Sequence, residues 1–248
     1  LDPLPQEQNA TASFTYSVAD LNGGTSAPEQ TAQITITGTN DDPVLVAGSI
    51  TQSEDQLEAG INIDAATSNL LGGATDIDDP NDSLTIHSVN GAPANVGQPV
   101  TVTLNFTDAD GAAQNQDVQL TVQPDGSYQI QAFDLSALPQ GQDATASFTY
   151  SVADIHGGTS APATAQITIT GTNDDPVLVA GSITQSEDQL ENGINIDAAS
   201  SNLLGGATDI DDPDNSLTIH SVNGGVANVG NPVTVTLNFT DADGAAQN

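Results

Sequence analysis

Three acidic groupings in this sequence have residue types and spacings suited to holding a cation through oxygen. The first is Asn40-Asp41-Asp42-Pro43, repeated as Asn173-Asp174-Asp175-Pro176. The second is Asp76-Ile77-Asp78-Asp79, repeated as Asp209-Ile210-Asp211-Asp212. The third is Asp154, which closes Ser-Val-Ala-Asp just before a Gly-Gly turn, with Asp20 as its copy. In extended backbone a DxD spacing puts both carboxylates on one side, because side chains alternate with a period of two. Hard cations such as Ca²⁺ take such oxygens at about 2.3–2.6 Å. Asp is also common in turns for its own hydrogen bonds, so one DxD alone would carry little weight. Three groupings at strand ends carry more.

The charge balance points the same way. The 248 residues include 33 acids, no Lys, no Arg, three His and no Cys, for a net charge of -33. Nothing inside the chain can balance that charge, so the folded protein repels itself unless a solvent cation intervenes. Of the 33 acids, 27 are the shorter Asp, the side chain favoured in cation-binding turns. Without cationic side chains the chain cannot neutralise phosphates, which argues against nucleic acid, and an anionic membrane surface repels it. The lack of Cys removes disulfides, thiolate nucleophiles and cysteine-rich zinc sites. No apolar run is long enough to span a bilayer as a helix, and Leu1 opens no signal peptide. The chain reads as a soluble piece of something longer. An acidic chain with 3% aromatics could instead be disordered without calcium, but its strand periodicity argues for a fold.

A fourth acidic motif, Thr107-Asp108-Ala109-Asp110-Gly111 with its copy from Thr240, suits a calcium turn or a solvated hairpin equally. His87 and His220 are copies of each other in an alternating strand and read as structural or exposed. His156 is replaced by Asn22 in the other copy, which weakens any catalytic role.

The chain that holds these residues is a tandem repeat. GTNDDPVLVAGSITQSEDQLE begins at Gly38 and again at Gly171, and SLTIHSVNG at Ser83 and Ser216. VTVTLNFTDADGAAQN begins at Val100 and Val233, so the offset is 133 residues. ATASFTYSVAD, at Ala10 and Ala144, is offset by 134 because the first copy has one extra residue near Glu29-Gln30. The proline of NDDP ends a strand-like run. This divides the chain into 1–40, the end of a preceding repeat; 41–173, one complete repeat; and 174–248, the start of a following repeat.

Eight strand candidates lie in the complete repeat. They are VLVAGSITQ, GINID, SLTIHSVN, PVTVTLNFT, VQLTVQ, SYQIQAF, ATASFTYSV and TAQITITGT. Pro124-Asp125-Gly126 predicts a hairpin, and SALPQGQ from Ser136 a short helical turn. No stretch keeps a 3.6-residue period. The expectation is an all-β fold, an antiparallel immunoglobulin-like sandwich without the disulfide, repeated in tandem.

These residues resemble a known family. SVADIHGGTSAPATAQITITGTNDDP is similar to the closing half of a cadherin repeat, where a strand ends in one Asp and the last strand runs into an xNDNxP linker. GGATDIDDP resembles that family's DxD segment. The period, SEDQ and the DGSYQI hairpin resemble bacterial cadherin-like repeats of the VCBS type, found in long RTX-type surface adhesins. The resemblance spans the complete repeat and both flanking pieces. It implies Ca²⁺ at the junctions between repeats. For the first junction it implies Asn40, Asp41, Asp42, Asp76, Asp78 and Asp154 as ligands. For the second it implies Asn173, Asp174, Asp175, Asp209 and Asp211. Glu54 matches the acid contributed by a preceding domain, and Asp134 the first acid of the DRE segment. Ser136 stands where that segment has its glutamate, and Gly38 and Gly171 stand where the linker has its first acid. One or two ions per junction are therefore expected.

The resemblance implies a non-enzymatic extender of a bacterial cell-surface adhesin, secreted, stiffened by extracellular calcium and projecting a distal adhesive region in cell adhesion and biofilm formation. Its partners would be neighbouring repeats of the same chain. The alternative is a ligand-binding sandwich for carbohydrate or ice; it lacks Trp platforms, and Thr alternation is ordinary in strands. Glycoside hydrolysis by paired carboxylates is the weakest reading, because the Asp pairs sit in turns. Residues 1–40 and 174–248 together make most of a repeat, so head-to-tail self-association is a further expectation.

Overall fold

Alternation of Val, Ile and aromatic residues with Thr, Ser and Gln builds the long strands, because one face is apolar and β-branched side chains fit the pleat. The computed structural model describes all residues except 1–3, 64–68, 81–82, 183, 185, 192–202, 214–215 and 248. The chain is all-β and divides into two compact units, Leu1–Asn173 and Asp174–Asn248. Among the described residues no helix is long and apolar enough to cross a membrane.

The first unit opens with a hairpin of β1 (Asn9–Tyr16) and β2 (Gln30–Thr37), paired antiparallel with Tyr16 opposite Gln30. The strands that follow are β3 (Val44–Leu45), β4 (Ser49–Ser53), β5 (Ile61–Ile63), β6 (Ala74–Thr75) and β7 (Thr85–Val89). The unit closes with β8 (Pro99–Thr107), β9 (Ala113–Val122), β10 (Tyr128–Ile130), β11 (Asp143–Ala153) and β12 (Ala163–Thr170). One short helix, α1 (Glu54–Ala59), interrupts them.

The main sheet runs β4-β12-β11-β8-β9-β10-β5, with β7 also pairing β11. Two features differ from the expected antiparallel sandwich. β4 pairs β12 in parallel, Gln166 opposite Ser49, and so covers the outer edge of the last strand. Instead of two separate sheets there is one hydrogen-bonded path, joined between β11 and β8 by the pair Thr145 and Asn105. β3 and β6 form a small sheet of their own.

Several predicted elements also change shape. VLVAGSITQ splits into β3 and β4, since Gly48 bends in towards Leu70 and its N–H donates to the Tyr150 hydroxyl at 2.9 Å. GINID forms only β5, and its Asp64 lies outside the described residues. SALPQGQ forms hydrogen-bonded turns rather than a helix, with Leu138 donating to Leu135 and Gln142 to Pro139. The Pro124-Asp125-Gly126 hairpin forms between β9 and β10, with Gly126 in the left-handed region at φ 79.

The core lies along the inward faces of β8, β9, β11 and β12, with Leu104, Leu120, Phe148, Tyr150 and Ile167 among its buried side chains. The Tyr150 hydroxyl donates to the Leu70 carbonyl at 2.9 Å. Identical residues behave differently in the hairpin. Tyr150 is 0% exposed, whereas its copy Tyr16 is 48% exposed, with Phe14, Ile34 and Ile36 exposed beside it.

The second unit contains α2 (Glu187–Glu191) and a hairpin of β13 (Phe239–Thr240) and β14 (Ala246–Gln247). Its Leu237 is 61% exposed, while Leu104, the same residue of the complete repeat, is 0% exposed.

Candidate metal centre

The β3–β6 pairing explains why the first acidic groups meet. Val44 lies opposite Thr75 and Leu45 opposite Ala74. Carried outward, that register sets Asp41 against Asp78, and the Asp41 N–H donates to Asp78 Oδ2 at 3.2 Å. Two strands of two residues thereby bring the linker against the DIDD turn.

That turn folds around one carboxylate: Asp76 Oδ1 accepts the N–H groups of Asp78 and Asp79, each at 3.1 Å. The third group arrives at the end of β11. Asp154 Oδ1 accepts from the N–H groups of His156 at 2.8 Å and Gly158 at 2.9 Å, while its Oδ2 accepts from Asn40 Nδ2 at 2.9 Å. Asp42 Oδ1 accepts from the Thr159 N–H at 3.1 Å. Gly158 is needed by this approach: a Cβ there would collide with Asp154 Oδ2, Asn40 Nδ2 and Asp42 Oδ1.

Asp76, Asp78 and Asp79 can hold a metal ion. One oxygen from each lies within 4.8 Å of the others, and oxygens on one ion at about 2.3–2.6 Å can be at most about 5 Å apart. Asn40 Oδ1, Asp78 Oδ1 and Asp79 Oδ2 are buried and accept no hydrogen bond. Buried oxygens normally have a donor, and this end of the unit has no Lys or Arg to supply one. The residues present therefore fit a cation held through oxygen.

The electrostatics agree. Burial, then the neighbouring Asp78, raises the Asp76 carboxyl above its usual range. For Asp154 burial acts upward, but hydrogen bonds from Asn40 and from the backbone of His156 and Gly158 outweigh it, leaving this carboxyl below its usual range. His156 Nε2 lies 3.3 Å from Asp79 Oδ1.

Of the residues expected at the first junction, Asn40 meets Asp154 through side chains and Asp42 accepts from Thr159 beside them, while Asp76 and Asp78 form a group with Asp79. Asp41 meets them through its backbone N–H, with its side chain exposed. Asp79, which the ligand set omitted, and His156, whose replacement by Asn22 in the other copy argued only against a catalytic role, adjoin each other at this cluster. The acid adjoining the DxD before Pro80 was a visible signal for Asp79. His156 had none, because its partner is distant in sequence.

Glu54 and Asp134 lie elsewhere, at the other end of the unit. The parallel β4–β12 register puts Ser53 opposite Thr170, so Glu54 meets the end of β12 and its Oε2 accepts the Thr172 N–H at 3.0 Å. Glu54 is buried, and Asp55 Oδ1 accepts from Thr172 Oγ1 at 2.9 Å. Asp134 follows Phe133, whose N–H donates to Leu57 of α1. Hydrogen bonds from the Ser136 hydroxyl and N–H hold the Asp134 carboxyl below its usual range. Asn173 is the last residue of this unit.

The second unit repeats the geometry with its own copies. Val177 bridges Thr208, the Asp174 N–H donates to Asp211 Oδ2 at 3.3 Å, and Asp209 Oδ1 accepts from the N–H groups of Asp211 and Asp212. Asp211 is buried, and burial followed by Asp209 pushes its carboxyl up. Asp175 is exposed.

The TDADG motif is a hydrogen-bonded turn. Asp108 Oδ1 accepts from the N–H groups of Asp110 and Ala112, and Oδ2 from Gln114 Nε2 at 2.6 Å. Both oxygens serve the turn itself. His87 and His220 are exposed.

Compared with protein-family models the chain matches none, and no curated protein matches it in sequence.

Proposed function

We propose that residues 41–173 are a cadherin-like, immunoglobulin-type sandwich repeat whose acidic end binds Ca²⁺, and that the chain is a calcium-stiffened extender of a bacterial surface adhesin. The observation that carries this reading is the group Asp76, Asp78 and Asp79, with the linker joined to Asp78 by the Asp41 N–H and to Asp154 by Asn40, and with buried oxygens of Asn40, Asp78 and Asp79 that have no donor. Oxygen-only ligands suit Ca²⁺, which tolerates irregular shells, better than Mg²⁺, which demands a small octahedron and keeps its waters. The sandwich reading takes β4, β12, β11 and β7 as one layer and β8, β9, β10 and β5 as the other, with the single Thr145–Asn105 pair as a corner.

The mechanism is charge compensation. Residues 41–173 carry 17 acids and no Lys or Arg. Asn40 and Asp154 tie the incoming linker to the end of β11, and Asp76, Asp78 and Asp79 supply carboxylates that repel one another when no cation lies between them. A bound Ca²⁺ supplies the positive charge that makes their approach favourable. Extracellular modules bind calcium with Kd of roughly 10⁻⁴–10⁻³ M, so the joint would stiffen outside the cell and stay loose within it. Glu54 and Asp134, at the far end with Asn173, are the acids this repeat would offer to its successor. The role is non-enzymatic, the location is the bacterial cell surface, and the partners are neighbouring repeats in adhesion and biofilm formation.

Isothermal titration with calcium, then with magnesium, tests the reading. Calcium binding in the submillimolar to millimolar range that Asp78→Asn weakens supports it; no calcium heat, or the same heat in Asp78→Asn, overturns it.

A further inference from the structure

We propose that His156 gives the acidic cluster a nitrogen ligand, so that His156 Nε2, Asp79 and Asp78 together bind Zn²⁺ in competition with calcium. The inference deepens the metal reading of that cluster, but it stands on the contact between His156 and Asp79 and not on calcium.

That contact has the spacing of two ligands on one ion. His156 Nε2 and Asp79 Oδ1 are 3.3 Å apart. A charge-assisted N–H···O bond closes further, to about 2.7–2.9 Å. Two ligands at about 2.0–2.1 Å from a tetrahedral Zn²⁺ stand about 3.3–3.4 Å from each other. Imidazole nitrogen and carboxylate oxygen are donors that zinc takes, whereas calcium and magnesium take oxygen.

Asp79 is placed as a ligand is and not as a surface acid is. Its side chain is 6% exposed, and its Oδ2 is buried and accepts no hydrogen bond. Buried oxygens normally have a donor, and the chain has no Lys or Arg to give one. Asp78 Oδ1 is buried in the same state. One oxygen of Asp78 lies within 4.8 Å of one of Asp79, so bringing both onto one zinc ion takes a shift of about 1.5 Å at most. Three protein ligands leave the fourth position of a tetrahedral site to water.

The backbone fixes the imidazole. His156 lies in the turn after β11, and its N–H donates to Asp154 Oδ1 at 2.8 Å. The Gly158 N–H donates to the same oxygen at 2.9 Å, and the Asp154 N–H donates to the Gly158 carbonyl at 3.1 Å. The His156 side chain is 35% exposed, so a metal reaches it from solvent while Asp79 behind it is covered.

The corresponding turn of the β1–β2 hairpin carries Asn22 in place of His156, and the Asn22 N–H donates to Asp20 Oδ1 at 2.9 Å. Asn therefore keeps the turn and lacks the imidazole nitrogen. By this account a repeat with His at the position takes zinc or calcium, and a repeat with Asn takes calcium alone. Because Asp78 and Asp79 serve both ions, binding of one excludes the other.

The test is isothermal titration of the full chain, stripped of metal, with zinc chloride, in the parent and in His156→Asn. The parent is expected to bind one zinc ion more tightly than the variant does. Even an outer-shell change costs about 10–100-fold in metal affinity, so losing a direct ligand should weaken this step at least tenfold. No zinc binding by the parent, or equal affinity in the two proteins, overturns the proposal. Repeating the zinc titration in excess calcium should weaken the same step, and an unchanged affinity overturns the shared site. The second readout is the set of imidazole nitrogen signals by NMR, which is simple because the chain has three His. Zinc should move those of His156 and leave those of the exposed His87 and His220; shifts confined to His87 and His220, or equal in all three, overturn the assignment. Calcium titrated into the parent separates the two readings. Zinc binding that needs His156 in a chain that takes up no calcium keeps this inference and overturns the calcium reading, and calcium binding without His156-dependent zinc binding does the reverse.

Discussion

Asn40 Nδ2 donates to Asp154 Oδ2 at 2.9 Å, joining residues 114 positions apart in the chain. One belongs to the linker that enters the repeat and the other to the turn after its penultimate strand. A cation beside them would therefore act on the joint and the domain together.

The first prediction concerns the sign of a charge deletion. Asp78→Asn removes a half-buried carboxylate that repels Asp76. In chelator it is expected to raise the unfolding midpoint slightly, and in excess calcium to lower it relative to the parent. A site at a hundredfold excess over Kd contributes about 2.7 kcal/mol, and the loss should be on the order of half that or more. Calorimetric melting in the two buffers reads the reversal.

Gly158→Ala tests the geometry instead of the charge. Its Cβ would collide with Asp154, Asn40 and Asp42, and overpacking of this kind costs about 1–3 kcal/mol. Calcium affinity should fall although no carboxylate is lost. Calcium titration against the parent checks it.

Tyr150→Phe separates the core from the site. It removes the bonds to Gly48 and Leu70 and leaves the buried Leu70 carbonyl without its partner, at a cost of about 1–3 kcal/mol. The loss should be the same in calcium and in chelator, as chemical denaturation in both buffers would show.

How much of this could be read beforehand depends on whether a feature is local. β8, β11 and β12 were visible because their alternation is local and strict. The capping box of α1 was equally local, with Ser53 accepting from the Gln56 N–H and the Gln56 side chain accepting from the Ser53 N–H. Periodicity does not reveal it, because a helix of six residues shows no sustained period. The parallel pairing of β4 and the Thr145–Asn105 corner depend on contacts between distant segments, which periodicity does not encode. The same holds for the site. The Asp residues are conspicuous, Asp79 among them beside the DxD, but the approach of His156 to Asp79 follows from the turn after β11 and has no local signal.

Acidity should act in two opposite windows. Asp76 has a raised carboxyl, so without calcium its contribution is present below its ordinary value of 3.8 and is lost as pH rises through the raised value. Asp154 has a depressed carboxyl, so its contribution is present above 3.8 and is lost as pH falls through the depressed value. In chelator, acidification through the raised Asp76 value is expected to stabilise, and acidification on through the depressed Asp154 value to destabilise. Asp154→Asn should reduce the second phase in melts across that range.

The most direct test of the central claim is thermal unfolding of the chain and of its Asp76→Asn/Asp78→Asn variant during a calcium titration at fixed ionic strength. The account predicts a midpoint that climbs with calcium up to millimolar levels, does not climb with equal magnesium, and climbs much less in the variant. A midpoint indifferent to calcium, or an equal climb in the variant, would contradict it.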